Sequence, residues 1–357
     1  MYGILIYPRR EAERNRAAVR RYLEAFAGEL SLVYEEALLP ALRRGALERA
    51  LPGAPSFALV RTMNPPLSRA LEALGVRVFN SAAVSALCND KRETYLRAAQ
   101  AGIAHVPSVF CYGGEPLFLD GGAIAPAISR ESSGTGDAAG RSSEAAVRGE
   151  WCESAAQCSD GGGETPPCAD TEALPGHGSR SCAACAGNLL SRTVALALAR
   201  FSLPLVVKPA RGHGGRGVSL CGTEDEVRAA VRALAPDAPV LQPPTGERGV
   251  DVRVYLLGGE LLAAMERRGA PGDFRSNFCL GGEARRLLPP PALREAVERV
   301  RALADFDYAG ADFLRDGERY LLNELEDVVG ARMLYTHTEL DPIAAFVSHI
   351  RRELSTK

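Results

Sequence analysis

Lysine is almost missing from this chain. Of its 42 basic residues only Lys91, Lys208 and the terminal Lys357 are lysines. Arginine serves where only a surface charge is wanted, but its broad planar guanidinium is a poor substitute where a compact ammonium must sit against a phosphate. The two internal lysines are therefore candidate functional residues, set against the alternative that they are leftovers in an arginine-favouring sequence. An excess of charge of either sign is also lacking. A formal net charge of -2 gives no case for nucleic acid or an anionic membrane as the main partner. No apolar run reaches the length of a membrane span. The N-terminal MYGILIYPRR carries too short an apolar stretch for a signal peptide and reads as a first strand, which places the protein in the cytoplasm. Histidine is scarce and scattered, with five in all, so no Ser/His/Asp or Cys/His set has support. Nine cysteines, an odd number at irregular spacing, read as reduced thiols.

What is present is an ordinary globular mixture, 46% hydrophobic and 24% charged over 357 residues, enough for two or three domains. The stretch LPLVVKPARGHGGRGV, residues 203–218, reads as strand, lysine, glycine-rich loop, strand. Glycines at the density of Gly212, Gly214, Gly215 and Gly217 let a backbone approach a phosphate chain, and Lys208 at the end of the strand supplies the counter-charge. The plain alternative is a glycine-rich turn beside a surface lysine. Lys91 lies in the first turn of a helix that Asn89 or Asp90 caps and Gly102 ends. The helix dipole disfavours a cation there unless an anion shares the site, which raises the functional reading.

Residues 1–80 show a βαβ rhythm and predict a small open α/β domain, with GILIY, LSLVYEEALL, SFALVRT and VRVFN as strands and Arg9 to Phe26 as a helix. The Thr62-Met63-Asn64-Pro65-Pro66 loop follows a strand, where open parallel sheets place ligands, but the signal is weak and a plain turn is the preferred reading. From about 112 to 188 the composition collapses into Gly, Ser, Ala, Glu and Pro without periodicity, predicting a largely disordered insertion. Five cysteines fall there with His177. Cys182 and Cys185 have metal-ligand spacing, but nothing around them builds a core to hold a site.

Two hairpins follow. DVRVYLLGGELLAAMERR turns at Gly258-Gly259, and ADFLRDGERYLLNELED carries carboxylates. Glu324 and Glu326 alternate by two and share one strand face. Asp312 joins them only in the right register. A two-residue Asp316-Gly317 turn sends it to the opposite face, whereas an odd loop over 316–318 unites all three, and the odd loop is expected. Three oxygen donors on one face, with room for water and phosphate oxygens, suit magnesium.

Taken in order, NSAAVSALCNDKRETYLRAAQAGIAHVPSVF, LPLVVKPARGHGGRGV, DVRVYLLGGELLAAMERRGAPGDFRSNFCLGGEA, YAGADFL and NELE make the chain similar to the ATP-grasp superfamily, and within it to RimK-type carboxylate-amine ligases. The resemblance implies an α/β (α+β) ATP-grasp fold: an N-terminal α/β domain over 1–80, a central subdomain over 81–241 that contains the insertion, and a C-terminal subdomain over 242–357. It implies ATP in the cleft between the last two, with Mg²⁺, or Mn²⁺ in its place. Lys91 and Lys208 then fall on the family's phosphate-binding lysines, the loop from Gly212 through His213, Gly214 and Gly215 to Gly217 closes over the γ-phosphate, and Asp251 joins the nucleotide site. Gln242 to Thr245 is the implied adenine hinge. Pro243 and Pro244 have no N-H, so an amide bond to adenine must come from Thr245. Asp312, Glu324 and Glu326 match the metal positions, with Glu326 where the family usually has asparagine. Arg253, Arg267, Arg275 and Asn277 are the implied ligands of an acyl phosphate and a substrate carboxylate, with Arg268 able to exchange with Arg267. DVVGARMLY replaces the Ser-Pro-Gly common after the third ligand, which leaves the acceptor unnamed. The implied partners are a small-molecule or peptide carboxylate and an amino-acid amine, without nucleic acid or membrane, and a homo-oligomer is compatible with all of this. A regulatory nucleotide-binding protein or a small-molecule kinase on the same fold are the competing readings.

Overall fold

The computed structural model describes residues 2–122, 183–270 and 282–356. The chain opens with β1 (Gly3–Tyr7), α1 (Arg9–Arg14), α2 (Arg16–Ala25), β2 (Leu30–Tyr34), α3 (Glu35–Arg43), β3 (Phe57–Val60), α4 (Pro65–Ala73) and β4 (Arg77–Phe79). The four strands form one parallel sheet in the order β2-β1-β3-β4. Two expectations need correcting. LSLVYEEALL is strand only to Tyr34, because Glu35 and Glu36 sit well at a helix start and Leu38 and Ala41 then recur at helical spacing on the buried side. The helix expected from Arg9 to Phe26 is broken at Asn15 into two.

α5 (Ala82–Cys88) is capped by the Ser81 hydroxyl, and α6 (Lys91–Gln100) is capped by Asp90. Next come β5 (Ser108–Tyr112), β6 (Glu115–Leu119), α7 (Ala183–Arg200), β7 (Leu205–Pro209), β8 (Ser219–Cys221), α8 (Glu224–Ala233) and β9 (Pro239–Gln242). These strands make an antiparallel sheet in the order β6-β5-β9-β7-β8, with α7 and α8 packed against it through Val194, Ala197, Val227 and Val231. The expected insertion over 112–188 is therefore too wide. β6 pairs with β5 and packs Phe118, Leu117 and Leu119 on two cores, and α7 begins at Ala183. Cys152, Cys158, Cys168, Cys182 and His177 lie outside the described residues.

The remainder is β10 (Val250–Leu257), β11 (Glu260–Arg268), β12 (Glu283–Leu287), α9 (Pro291–Arg301), β13 (Tyr308–Asp316), β14 (Arg319–Glu326), α10 (Arg332–His337) and α11 (Pro342–Ser355). Its five strands form an antiparallel sheet in the order β12-β11-β10-β13-β14. One core joins this sheet and α11 to the N-terminal sheet through Tyr255, Met265, Tyr308 and Phe346 against Tyr7, Tyr22 and Phe57. Polar ties fix the same junction. Asn80 donates to the carbonyls of Tyr308 and Asp327 and accepts from the Asp307 and Tyr308 amides, and Arg61 donates to the Val329 carbonyl at 2.7 Å. Among the described residues no helix is long and apolar enough to cross a membrane.

Candidate active site

The site grows out of two strand slips. β10 and β11 turn on two residues, Leu257 facing Glu260, and the register then shifts so that Leu262 has no partner and Asp251 faces Arg267. β13 and β14 also turn on two residues, Asp316 facing Arg319, and the register shifts at Asn323 so that Asp312 faces Glu324. The expected odd loop is therefore wrong. The turn is even, and a bulge inside the strand supplies the odd residue. Asp312 also faces Arg253 across β10 and β13. Facing residues share a face and alternate residues repeat it, so Asp251, Arg253, Arg267, Asp312, Glu324 and Glu326 all project to one side of the sheet.

On that side the three carboxylates Asp312, Glu324 and Glu326 bring oxygens within 4.8 Å of one another. Hard oxygen donors so grouped fit a magnesium-type ion, and these three residues would hold it. Basic groups thread the cluster. Arg253 donates to both oxygens of Asp312 at 2.7 and 2.6 Å and to Glu326 at 2.7 Å. Arg267 grips Asp251 with two bonds and reaches Asp312 at 2.7 Å. Burial would raise the Asp312 carboxyl, but Arg253 and then Arg267 outweigh it and hold it down at about 2. Glu326 goes the other way, pushed up by burial and by Asp312 and Glu324 despite Arg253.

The opposite wall carries the lysines. Lys91, at the start of α6, contacts Glu324 at 2.8 Å and the Gly212 carbonyl at 2.5 Å, and its own amide donates to Ala210. Lys208, on β7, donates to the Tyr95 hydroxyl and to Asn323 Oδ1, both at 3.0 Å. Burial, then the nearby Lys91 charge, pulls the Lys208 ammonium down to about 7, with Glu324 and Asp312 opposing. His213 in the glycine loop is likewise lowered, by burial and then by Arg216.

Two cavities meet here. One, of about 300 Å³, is lined by Lys91, Lys208, Gly212, His213, Gly215, Gln242, Pro243, Pro244, Thr245, Asp251, Arg267, Asp312, Asn323 and Glu324. The other, of about 890 Å³, runs from Glu324, Glu326 and Asp327 past Asp90 to Met63, Asn64 and Arg69, and shares Gly212, His213 and Glu324 with the first. The Thr62–Pro66 loop thus contributes a cleft wall as well as the Asn64 cap of α4. Most of the residues singled out in the sequence converge on this junction. Gly214 and Gly217 belong to the same loop without lining the smaller cavity, and Arg253 lies behind it on the carboxylates. Gln242 spends its side-chain amide on the Ser108 hydroxyl at 2.7 Å, and the Thr245 hydroxyl donates to the Pro243 carbonyl at 3.0 Å. Arg275 and Asn277 lie outside the described residues.

Sequence reasoning missed Tyr95 and Asn323 as site residues. Tyr95 stands four residues after Lys91 on the same helix face, a spacing that can be read directly. Its hydroxyl donates to the Asn323 carbonyl at 2.6 Å, so the bulge is held from the lysine wall.

A family model described as the RimK-like ATP-grasp domain matches residues 191–350. A probable alpha-L-glutamate ligase of Parasynechococcus marenigrum is 35% identical over 155 residues, 42% of this chain and 33% of that protein. One of Stutzerimonas stutzeri is 30% identical over 152 residues, 42% of this chain and 50% of that protein. The matched stretch thus spans half or less of these two curated relatives. Among solved structures, a RimK domain ATP-grasp protein from Sphaerobacter thermophilus superposes with a TM-score of 0.58 at 17% identity, covering 98% of both chains. The D-alanine--D-alanine ligase from Bacillus anthracis complexed with ATP gives 0.58 at 14% identity, covering 100% of this chain and 98% of that one. At these identities the likeness establishes the ATP-grasp fold.

Proposed function

We propose that the chain is an ATP-dependent carboxylate-amine ligase working through an acyl phosphate, a reading supported by the RimK-like ATP-grasp model that matches residues 191–350 and by the ATP-grasp fold. The observation that carries this reading is the junction of the two cavities at Gly212, His213 and Glu324, beside both internal lysines and the three grouped carboxylates. ATP occupies the smaller cavity, its base against the 242–245 segment and its phosphates under the glycine loop. Lys91 and Lys208 bind phosphate oxygens, and their compact ammonium groups explain why arginine did not replace them. A magnesium ion held by Asp312, Glu324 and Glu326 supplies neutralisation of phosphate charge and a fixed orientation of the γ-phosphoryl group.

The acceptor acid enters from the larger cavity, so its carboxylate meets the γ-phosphorus at the shared rim. Attack forms the oxygen-phosphorus bond and expels ADP, and an amine then attacks the acyl carbon and expels phosphate. The chain's contribution to the first step is positioning and charge. Arg267, with Arg275 and Asn277 of the 271–281 segment, binds the acyl phosphate.

ATP turnover with pools of amino acids and with hydroxylamine as trap tests the proposal. Amine-dependent release of ADP and phosphate, with hydroxamate formed, is expected. A phosphorylated product that accumulates without amine dependence would identify a kinase instead, and release of AMP would exclude the acyl-phosphate route.

A further inference from the structure

We propose that Arg253 is a built-in counter-ion of the metal-binding carboxylates, which keeps them from holding a divalent cation unless nucleotide is bound with it. The inference rests on the reading of this junction as the nucleotide and metal site. Among the described residues Arg253 alone bonds two of the three candidate ligands, using both oxygens of Asp312 and one of Glu326, at 2.6 to 2.7 Å. Its side chain is 11% exposed, against 4% for Asp312 and 18% for Glu326, so water screens these contacts poorly.

Among the described residues the basic groups around the junction match the acidic ones: Asp251, Asp312, Glu324 and Glu326 stand against Arg253 and Arg267 on the same sheet face and Lys91 and Lys208 on the opposite wall. A divalent cation entering alone would leave a buried excess of positive charge. Entering with the phosphates of a nucleotide, it does not. The four basic groups are not equivalent in this respect. Lys91, Lys208 and Arg267 line the smaller cavity, where phosphate can draw their charge away from the carboxylates. Arg253 does not line it and is held on Asp312 and Glu326, away from where the phosphates would lie. It lowers the charge offered to a metal by one and occupies lone pairs that a metal would use. It acts on the metal through the carboxylates and is a positioning residue.

The test is Mn²⁺ binding to the full chain, read from the free-ion electron paramagnetic resonance signal, with and without saturating ADP. Without ADP, wild type is expected to bind Mn²⁺ at about millimolar concentration or more weakly. Arg253→Met should bind it at least about tenfold more tightly than wild type in the same nucleotide-free arm, and Arg253→Lys, which keeps the charge but cannot bridge both carboxylates, should fall between. Arg253→Met also frees Glu326 of its Arg253 bond and leaves Asp312 with Arg267 in place of two arginines, so more carboxylate charge faces a cation. Its melting temperature should therefore rise with Mn²⁺ alone, where that of wild type does not. Micromolar nucleotide-free Mn²⁺ binding by wild type would overturn the proposal whether or not the variant folds, and so would an Arg253→Met affinity equal to that of wild type. The nucleotide-free arms use no ADP. Failure of ADP to bind would therefore count against the ligase reading, while the comparison of arginine variants is still decided.

Discussion

The hairpins β10–β11 and β13–β14 use one device to two ends. Each closes on a two-residue turn, and each then slips by one residue on its second strand, at Leu262 in the first and at Asn323 in the second. Without the slips Asp251 would face Glu266 and Asp312 would face Asn323, and the charged cluster would be divided between the two faces of the sheet. The first bulge is held by apolar packing, since the half-buried Leu262 lies against the main core. The second is held by polar bonds, from Tyr95 to the Asn323 carbonyl and from Lys208 to its side chain. One slip is thus purely structural, and the other hands its extra residue to the site.

The largest break in this arrangement comes from removing the residue on which both hairpins converge. Asp312→Ala leaves Arg253 and Arg267 buried without their shared partner, and should cost about 3–5 kcal/mol of stability in a urea titration. A loss below about 1 kcal/mol would show that packing alone joins the hairpins.

Next in size is Lys208→Met, expected to lower ATP turnover by about 10²–10³-fold. It also has a signature in stability against pH. Lys208 sits at about 7 in the folded chain against 10.5 as its ordinary value. Between these limits the unfolded chain binds the extra proton, so stability rises with pH, and the cost of burying the ammonium is fully present below 7. Melting temperatures measured between pH 7 and 10 should therefore climb more steeply in wild type than in Lys208→Met. Parallel slopes would mean that the ammonium is not desolvated.

The two bulges can be separated by a matched pair of changes. Asn323→Ala removes the side-chain acceptor of Lys208 and should weaken ADP binding by about tenfold with little loss of stability, because the backbone contact to Tyr95 is kept. Leu262→Ala should do the reverse, costing roughly 1–2 kcal/mol of stability and leaving ADP affinity unchanged. Equal effects on ADP affinity, measured calorimetrically, would erase the distinction between a structural and a functional slip.

Much of this was legible in the sequence. Lysine scarcity pointed to Lys91 and Lys208, glycine density pointed to the 212–217 loop, and spacing by two united Glu324 with Glu326. The union of Asp312 with them was also expected, but by the wrong route. A turn leaves a local signal in glycine and aspartate, whereas a bulge at Asn323 is set by what lies across the sheet and across the cleft, and an isolated strand does not carry that information. The same holds for α3. Its glutamates and its helical spacing were written in the sequence, but the apolar strand run LSLVY before them masked the boundary. Burial of Arg253 on carboxylates, instead of toward a substrate, depends on three strands at once and leaves no trace in any one of them.

The smallest effects sharpen the comparison at the turns themselves. Gly258 and Gly317 have φ of +57° and +61°, a region that costs an L-residue about 1 kcal/mol. At Gly317 an added Cβ meets nothing within 4 Å, so Gly317→Ala should lose only that amount. At Gly258 it would lie 2.9 Å from His349 Nδ1. His349 is buried and its other nitrogen is bound to Asp307 at 2.9 Å, so the ring cannot yield without breaking that contact. Gly258→Ala should therefore lose about 2 kcal/mol, roughly twice the cost at Gly317. Equal losses in parallel urea titrations would show that the His349 ring gives way freely, and that the first hairpin, like the second, is anchored by its strands and not by its turn.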